Sequence, residues 1–452
     1  MIQNQRAVQE PAQDIEDVYA LAPMQQGMVF QYLFAPQSGV NIAQLVGKLD
    51  ESIDVPALTQ AFQSVVDQHP MLRTSFVWKG LAEPVQRVHR RAIVPVVAED
   101  WRGLGPEAQE IRLQDFLRRD REQGFDLTRP PLMRVAVFQI ADQASWMVWN
   151  VHHTIVDGRT VYLVLKQVFA AYEAICQGRP LPQEAGRPYR DYIEWLPQQD
   201  LAAGEIFWRG LLKDLTPPKP FPRIPSATKA APPNVYALHR ATLDPERTAA
   251  LKATAAEHGL TLSTLVNGAW ALALRAYSGH DDVVFGITRH GRPKESLPGA
   301  DTMIGIFINT LPMRVRITPD LPLAAWLTRL RAEQAEARRY EYCPLFEIRR
   351  WSSLPGRGPL FESIVVFDNL SFGTSLRRLG GSWEGRRFYA VERFDDPLVL
   401  NIHGEESLSV EASFDTRRLD QATVRRMVDT LLSTLTAMID GMDLPVARVL
   451  DR

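Results

Sequence analysis

The stretch NVHHTIVDGRT, Asn150 to Thr160, gathers side chains that do chemistry: two adjacent histidines, then an aspartate, then a glycine. Three readings suit these types: metal ligation, proton transfer by an imidazole near a carboxylate, or a satisfied polar cluster where a strand ends. Metal fits worst. Consecutive strand residues face opposite sides, so His152 and His153 do not easily share one ion. One histidine plus Asp157 gives two ligands, where a catalytic zinc site takes three. No metal site is expected. His69, His89, His239, His258, His280 and His403 read as satisfied polar residues, and His152 joins them as an inward-packing residue that shapes the turn. His153 differs. The β-branched run after it stiffens the chain, and Gly158 permits a conformation or close approach that a side chain would block. A histidine so held suits proton transfer or positioning near neutral pH. Spacing alone leaves this reading and the polar cluster both open.

The elements that must position the motif show in the hydrophobic pattern. LMRVAVFQI and SWMVWNVHH are strand-like and joined by a short polar turn. DVPALTQAFQSVVDQHP reads as a helix capped by Asp54, with Pro56 in its first turn and Leu58, Phe62, Val65 and Val66 on one face. TVYLVLKQVFAAYEAICQG reads as a helix stopped by Gly178. In the second half, STLVNGAWALALRAYSG is a nearly all-apolar helix, DVVFGIT and FESIVVF have buried-strand length, and Asp420 to Asp440 is a closing helix. Strands and helices alternate in both halves, which predicts two α/β lobes. TPPKPFPRIPSATKAAPPNV, Thr216 to Val235, is too rich in proline for a helix or central strand and reads as a surface connector. The expected organisation is a lobe over 16–180, a connector over 181–235 and a second lobe over 236–452.

The chain has 452 residues, too many for one ordinary domain. A hydrophobic fraction of 45% and a charged fraction of 23% are those of a soluble globular protein. A net charge of −2 argues against a nucleic-acid groove or a polybasic membrane patch. Two cysteines, Cys176 and Cys343, allow no disulfide scaffold and fit a reducing compartment. The N-terminus lacks an apolar signal region, and no run approaches the ~18 apolar residues of a membrane span. A cytoplasmic protein is expected.

HHTIVDG resembles the HHxxxDG signature of nonribosomal peptide synthetase condensation domains, in the chloramphenicol acetyltransferase-like superfamily. Companion segments follow in family order: LAPMQQGMVFQ (Leu21 to Gln31), DQHPMLRTSF (Asp67 to Phe76), RPYRDYIEW (Arg187 to Trp195), IGIFINTLPMRV (Ile304 to Val315), EYCPLFEI (Glu341 to Ile348) and PLFESIVVFDN (Pro359 to Asn369). The resemblance runs over essentially the whole chain. It implies two acetyltransferase-like lobes in a V-shaped pseudo-dimer with the active site in a tunnel between them. It also implies acyl, peptidyl or polyketidyl transfer from a carrier-protein phosphopantetheine thioester to an amine or hydroxyl, in natural-product biosynthesis. No carrier, adenylation or thioesterase signature is present. The 4'-phosphopantetheine is therefore expected from partners: an upstream donor carrier, and a downstream carrier or small soluble acceptor. No covalently bound cofactor, nucleic acid or membrane partner is expected, and the chain is expected to be a monomer.

The resemblance makes His153 the catalytic residue, either as a base or as a positioning group. It assigns Asp157 a structural ion pair with an arginine of the other lobe, here Arg292 in TRHGRP, and makes His152 and Gly158 supports, the glycine N–H near the thioester carbonyl. Asn309 and Thr310 fall in the tunnel-facing motif; Arg73, Tyr189 and Trp195 are expected to support the fold. Arg159 departs from the aromatic residue common after the DG pair. It is either a solvated surface residue or a partner for an anion, a pantetheine phosphate or an acceptor carboxylate. Related epimerising domains carry a second acid where Thr288 stands, so epimerisation is not expected. A coenzyme A-dependent acyltransferase and a non-catalytic recruitment domain are the alternatives.

Overall fold

The computed structural model describes residues 14–35, 38–183, 186–218, 221, 236–355 and 358–450. Most of the proline-rich connector lies outside them. Contacts divide the described chain into two compact units. Unit 1 comprises Met1–Gln198, Arg292–Phe307 and Phe372–Glu392; unit 2 comprises Gln199–Gly291, Ile308–Ser371 and Arg393–Arg452. The single connector expected between lobes does not describe this division, because two segments from the second half of the sequence pack within unit 1.

The described strands are β1 (Ile15–Ala20), β2 (Ile42–Leu49), β3 (Thr74–Val77), β4 (Val85–His89), β5 (Val96–Asp100), β6 (Met133–Ala141), β7 (Ala144–His152), β8 (Tyr236–Leu243), β9 (Asp282–Arg289), β10 (Asn309–Arg316), β11 (Ser363–Asp368), β12 (Arg386–Val391), β13 (Leu398–Gly404) and β14 (Leu408–Asp415). Unit 1 holds a small sheet in the order β1-β4-β3 and a five-stranded sheet in the order β12-β2-β7-β6-β5. Both faces of the larger sheet are covered. Trp101, Leu113, Leu117, Phe138, Trp146 and Val148 form one core with the helix Pro106–Gln123. On the opposite face Trp149 meets Phe62 of the helix Val55–Gln68, which packs on the helix Gly158–Cys176. Burial on both sides explains why SWMVWNVHH is nearly continuously apolar rather than alternating.

Unit 2 is built on the same plan. Its sheet runs β10-β9-β11-β13-β14-β8. Helices Leu262–Ser278 and Gln421–Ile439 share a core with one face, while Trp208, Ile348 and Trp351 close the other. Asp54, Thr261 and Asp420 each cap their helix by accepting a backbone N–H, as short polar side chains do at these positions.

The strand that matters most to the site is β12. It pairs antiparallel with β2 from Arg386↔Leu49 to Val391↔Gln44 and so covers an edge that would otherwise be open. Its register is pinned sterically. Phe388 stands opposite Gly47, and a Cβ on Gly47 would lie 2.5 Å from the phenylalanine ring, so only glycine admits it. The strand is also held at its start. The Arg386 guanidinium is buried, donates to Glu51 (2.6 Å) and Glu173 (2.9 Å), and sits 4.2 Å from the Phe169 ring centroid. Removing it strands two carboxylates that are each about a third exposed. Arg386→Ala should therefore cost about 1–3 kcal/mol, below the cost of a fully buried pair. Denaturant unfolding should register the loss, and hydrogen exchange should show the β12 amides losing protection before those of β6 and β7.

Candidate active site

The motif lies where β7 ends and the helix Gly158–Cys176 begins. The His153 N–H still donates to the Asn41 carbonyl (2.8 Å), extending the β2–β7 pairing one residue past the strand. Asp157 is the helix N-cap, its Oδ1 accepting from the Thr160 N–H at 2.7 Å. The same carboxylate accepts from Arg292 Nη2 (3.1 and 3.4 Å) and from the Phe307 N–H (2.9 Å). Arg292 also donates to Thr160 Oγ1 and to the carbonyls of Ala300 and Met303, and it stacks 4.1 Å from the Phe307 ring centroid. Both partners are buried, with side chains 1% and 3% exposed. Asp157 is thus occupied in fastening the segment Arg292–Phe307 to the helix start. This segment belongs to unit 1, so the pair lies within one unit rather than reaching across from the other lobe.

Tyr189 locks the same segment from another side. Its hydroxyl donates to the Ile306 carbonyl, and its ring lies where a Cβ on Gly305 would stand. Trp195 stacks on Tyr192, which in turn meets Phe307. Arg73 is buried and donates to Glu16, the His89 carbonyl and the Val66 carbonyl.

The two histidines have opposite environments. His152 is buried, and its Nδ1 accepts the Thr154 N–H (3.2 Å) while lying 2.9 Å from the Thr154 hydroxyl. Burial, then the neighbouring His153, push it down to about 3, so it is neutral. His153 keeps 13% of its side chain exposed. Its Nδ1 faces the Val156 carbonyl at 3.3 Å and its Nε2 faces Glu392 Oε1 at 3.1 Å. Burial disfavours its charged form. The hydrogen bond and charge of Glu392, with smaller help from the Val156 carbonyl and Asp157, outweigh this and raise the imidazole above its ordinary 6.5. Burial likewise opposes ionisation of Glu392, yet His153 and the Arg121 charge hold it below its ordinary 4.5.

Glu392 and Arg121 are the residues that sequence reasoning missed. Glu392 follows β12, 239 residues from His153, and only strand pairing brings them together. By strand alternation Glu392 falls in phase with Phe388 and His153 in phase with Trp149, the same face of the sheet. Arg121, from the helix on the opposite face, donates to the carbonyls of Gly39, Ile42 and Val391 and to Gln44 Oε1. It fixes the end of β12 one residue before Glu392.

The remaining expected residues lie as follows. Gly158 is exposed, has no left-handed φ, and a Cβ there meets nothing within 4 Å. The strain or close approach expected of it is therefore not required by this chain's own packing. Arg159 is exposed, its guanidinium 5.0 Å from the Tyr162 ring centroid. Asn309 and Thr310 open β10 in unit 2. The Asn309 amide donates to the carbonyls of Glu341 and Cys343, so it braces that turn. Among the described residues no group of three His, Cys, Asp or Glu side chains is placed to hold a metal ion, and no helix is long and apolar enough to cross a membrane.

A family model described as the condensation domain matches residues 15–450. One of the linear gramicidin synthase subunits of Brevibacillus parabrevis is 39% identical over 94% of this chain. Surfactin synthase subunit 2 of Bacillus subtilis (strain 168) is 31% identical, also over 94%. The chain spans only 8% and 12% of those two proteins. Among solved structures, the first condensation domain of the calcium-dependent antibiotic synthetase superposes with a TM-score of 0.79 at 18% identity, over 96% of this chain and 99% of that one. The X-domain from teicoplanin biosynthesis gives 0.78 at 21% identity, over 98% of each. These likenesses show the α/β, two-lobed chloramphenicol acetyltransferase-like fold.

Two outcomes follow from the electrostatics. Asp157→Ala leaves the buried Arg292 charge without its carboxylate and should destabilise the chain by about 3–5 kcal/mol in urea unfolding. The His153–Glu392 pair should give a pH-dependent difference between the wild type and Glu392→Gln. The His153 contribution is full below its unfolded value of 6.5 and is lost as pH rises through the higher folded value. The Glu392 contribution is full above 4.5 and is lost as pH falls through the lower folded value. The wild-type advantage should thus be greatest from pH 4.5 to 6.5 and shrink on either side, as read from unfolding midpoints across pH.

Proposed function

The chain belongs to the condensation-domain family, and from that membership we propose that it moves an acyl or peptidyl group from a carrier-bound phosphopantetheine thioester to an amine. The product is an amide and a free thiol. The donor carrier brings the 4'-phosphopantetheine, and the acceptor arrives on a second carrier or as a small soluble amine. A hydroxyl acceptor, yielding an ester, is the same transfer with a greater demand for a base.

The observation that carries this reading is the division of labour within HHTIVDG. Asp157 is consumed by Arg292, Thr160 and Phe307. His152 is neutral and enclosed. His153 alone combines an ionisable ring with partial exposure. Beside it the helix start leaves the Gly158 and Arg159 N–H groups without acceptors in the helix, as every helix N-terminus does. Both residues are exposed, and space is open at Gly158. Such donors suit the oxyanion that forms when a nucleophile adds to a thioester carbonyl. Arg159, exposed at the same helix start, is our candidate to meet an anionic group of a substrate.

His153→Ala tests the assignment. An α-amine with a pKa near ~7.7–8.0 is partly neutral at pH 7 and needs mainly orientation, whereas a hydroxyl needs proton removal. With an acyl-loaded carrier followed by mass spectrometry, the wild type should turn over amines well ahead of matched alcohols, and the variant should lose turnover with amines. An undiminished amine rate in the variant contradicts the role of His153, and a wild-type chain that leaves every acyl-carrier intact contradicts the function.

A further inference from the structure

The pair formed by His153 and Glu392 is more than a neighbourly contact, because the ring has an oxygen on each side. A backbone carbonyl only accepts, so Nδ1 must donate its proton to Val156. That leaves the Nε2 lone pair facing a carboxylate at 3.1 Å, a repulsive arrangement unless one more proton lies between them. Two residences are open to that proton, Nε2 or Oε1. The ordinary values, 6.5 for the imidazole and 4.5 for the carboxyl, favour the nitrogen. Burial, the largest single influence on each group, opposes both charges, yet the net direction still favours the charged pair. Arg121, on the far side of β12, favours an ionised Glu392, and Asp157 favours a charged ring, while the adjacent His152 is neutral. The resting site is an imidazolium–carboxylate pair. A base with its basic nitrogen already protonated cannot deprotonate an acceptor.

We propose that Glu392 is the second proton-transfer residue of the site, with Glu392 as base and His153 as acid, an arrangement suited to amine rather than hydroxyl acceptors. The inference rests on the acyl-transfer reading above. The acceptor nitrogen forms its bond to the thioester carbonyl carbon and becomes strongly acidic, so a weak base such as a carboxylate suffices to take its proton. The C–S bond breaks with its electron pair on sulfur, and His153 Nε2 gives sulfur its proton. Glu392 then returns the proton it took to Nε2 across their contact. The sum is amine plus thioester to amide plus thiol, with the pair restored. A neutral hydroxyl is a far weaker nucleophile than a neutral amine, so its proton must be taken as the bond forms, which calls for a stronger base than this carboxylate.

The structure supplies the rigidity this exchange requires. β12 is fixed at its start by Arg386, in register by Phe388 over Gly47, and at its end by Arg121 on the Val391 carbonyl. Glu392 is the next residue, its side chain 25% exposed.

The test uses the full chain as wild type, Glu392→Gln and Glu392→Asp. The donor is an octanoyl N-acetylcysteamine thioester, and the acceptors are an amino-acid amide and its α-hydroxy analogue. The Gln variant should lose roughly 10²-fold or more in amine-dependent kcat/KM, in line with general acid–base contributions. Its amine-over-hydroxyl preference should narrow, because a neutral His153 regains basicity, and the acidic limb of the pH profile should vanish. The Asp variant should recover part of the rate. In parallel, the His153 ring proton resonance should titrate at lower pH in the Gln variant than in the wild type. An unmoved titration overturns the pair itself. A moved titration with undiminished amine turnover and an unchanged profile overturns the proton-transfer role. A moved titration in a wild type that transfers no acyl group refutes the acyl-transfer reading, and the catalytic role with it.

Discussion

A ring nitrogen and a carboxylate oxygen, both largely buried and 3.1 Å apart, cannot meet lone pair to lone pair. Much of the fold of unit 1 bears on that constraint. A shared proton stabilises the contact only while the two groups are held face to face, and three separate anchors hold them. Phe388 needs Gly47 beneath it, Arg386 ties the strand to two carboxylates, and Arg121 grips the carbonyl before Glu392. Packed interiors shift between discrete arrangements rather than deforming smoothly, so a strand fastened in this way presents its last side chain in one position.

The motif residues divide between holding and reacting. Asp157 could pass for a triad-like orienter of His153, but its oxygens are engaged with Arg292, Thr160 and Phe307, and its influence on the imidazole is the smallest of the contributions that act on it. Breaking a buried ion pair is costly in itself, so loss of activity in an Asp157 variant speaks first of folding. The acidic partner of His153 instead comes from the distant end of the sequence. Family membership gives the acyl-transfer chemistry its context, and the geometry of this chain gives the protons their route.

Much of this was legible in the sequence, because periodicity and capping are local. The helix over DVPALTQAFQSVVDQHP, its Asp54 cap, the hairpin leading into the histidines and the stop at Gly178 all follow from patterns within a few residues. The ion pair of Asp157 with Arg292 was accessible through the family resemblance, since no local signal links two residues so far apart. Glu392 carried no signal at all. A lone glutamate after RRFYAV reads as a solvated strand end, and only the β12–β2–β7 pairing reveals its neighbour. Arg121 likewise reads as one more helix arginine, although it is buried against four acceptors. The two compact units do not follow a single connector, for the same reason. Strand addition and ion pairing, rather than chain continuity, assign 292–307 and 372–392 to unit 1.

The residence of one proton decides the account, and nitrogen NMR reads it directly. In wild-type chain with 15N-labelled histidine at pH 7, the His153 signals, assigned by their absence in His153→Asn, should show both ring nitrogens protonated. An Nε2 shift characteristic of an unprotonated nitrogen would place the proton on Glu392 or nowhere, and would contradict a resting imidazolium.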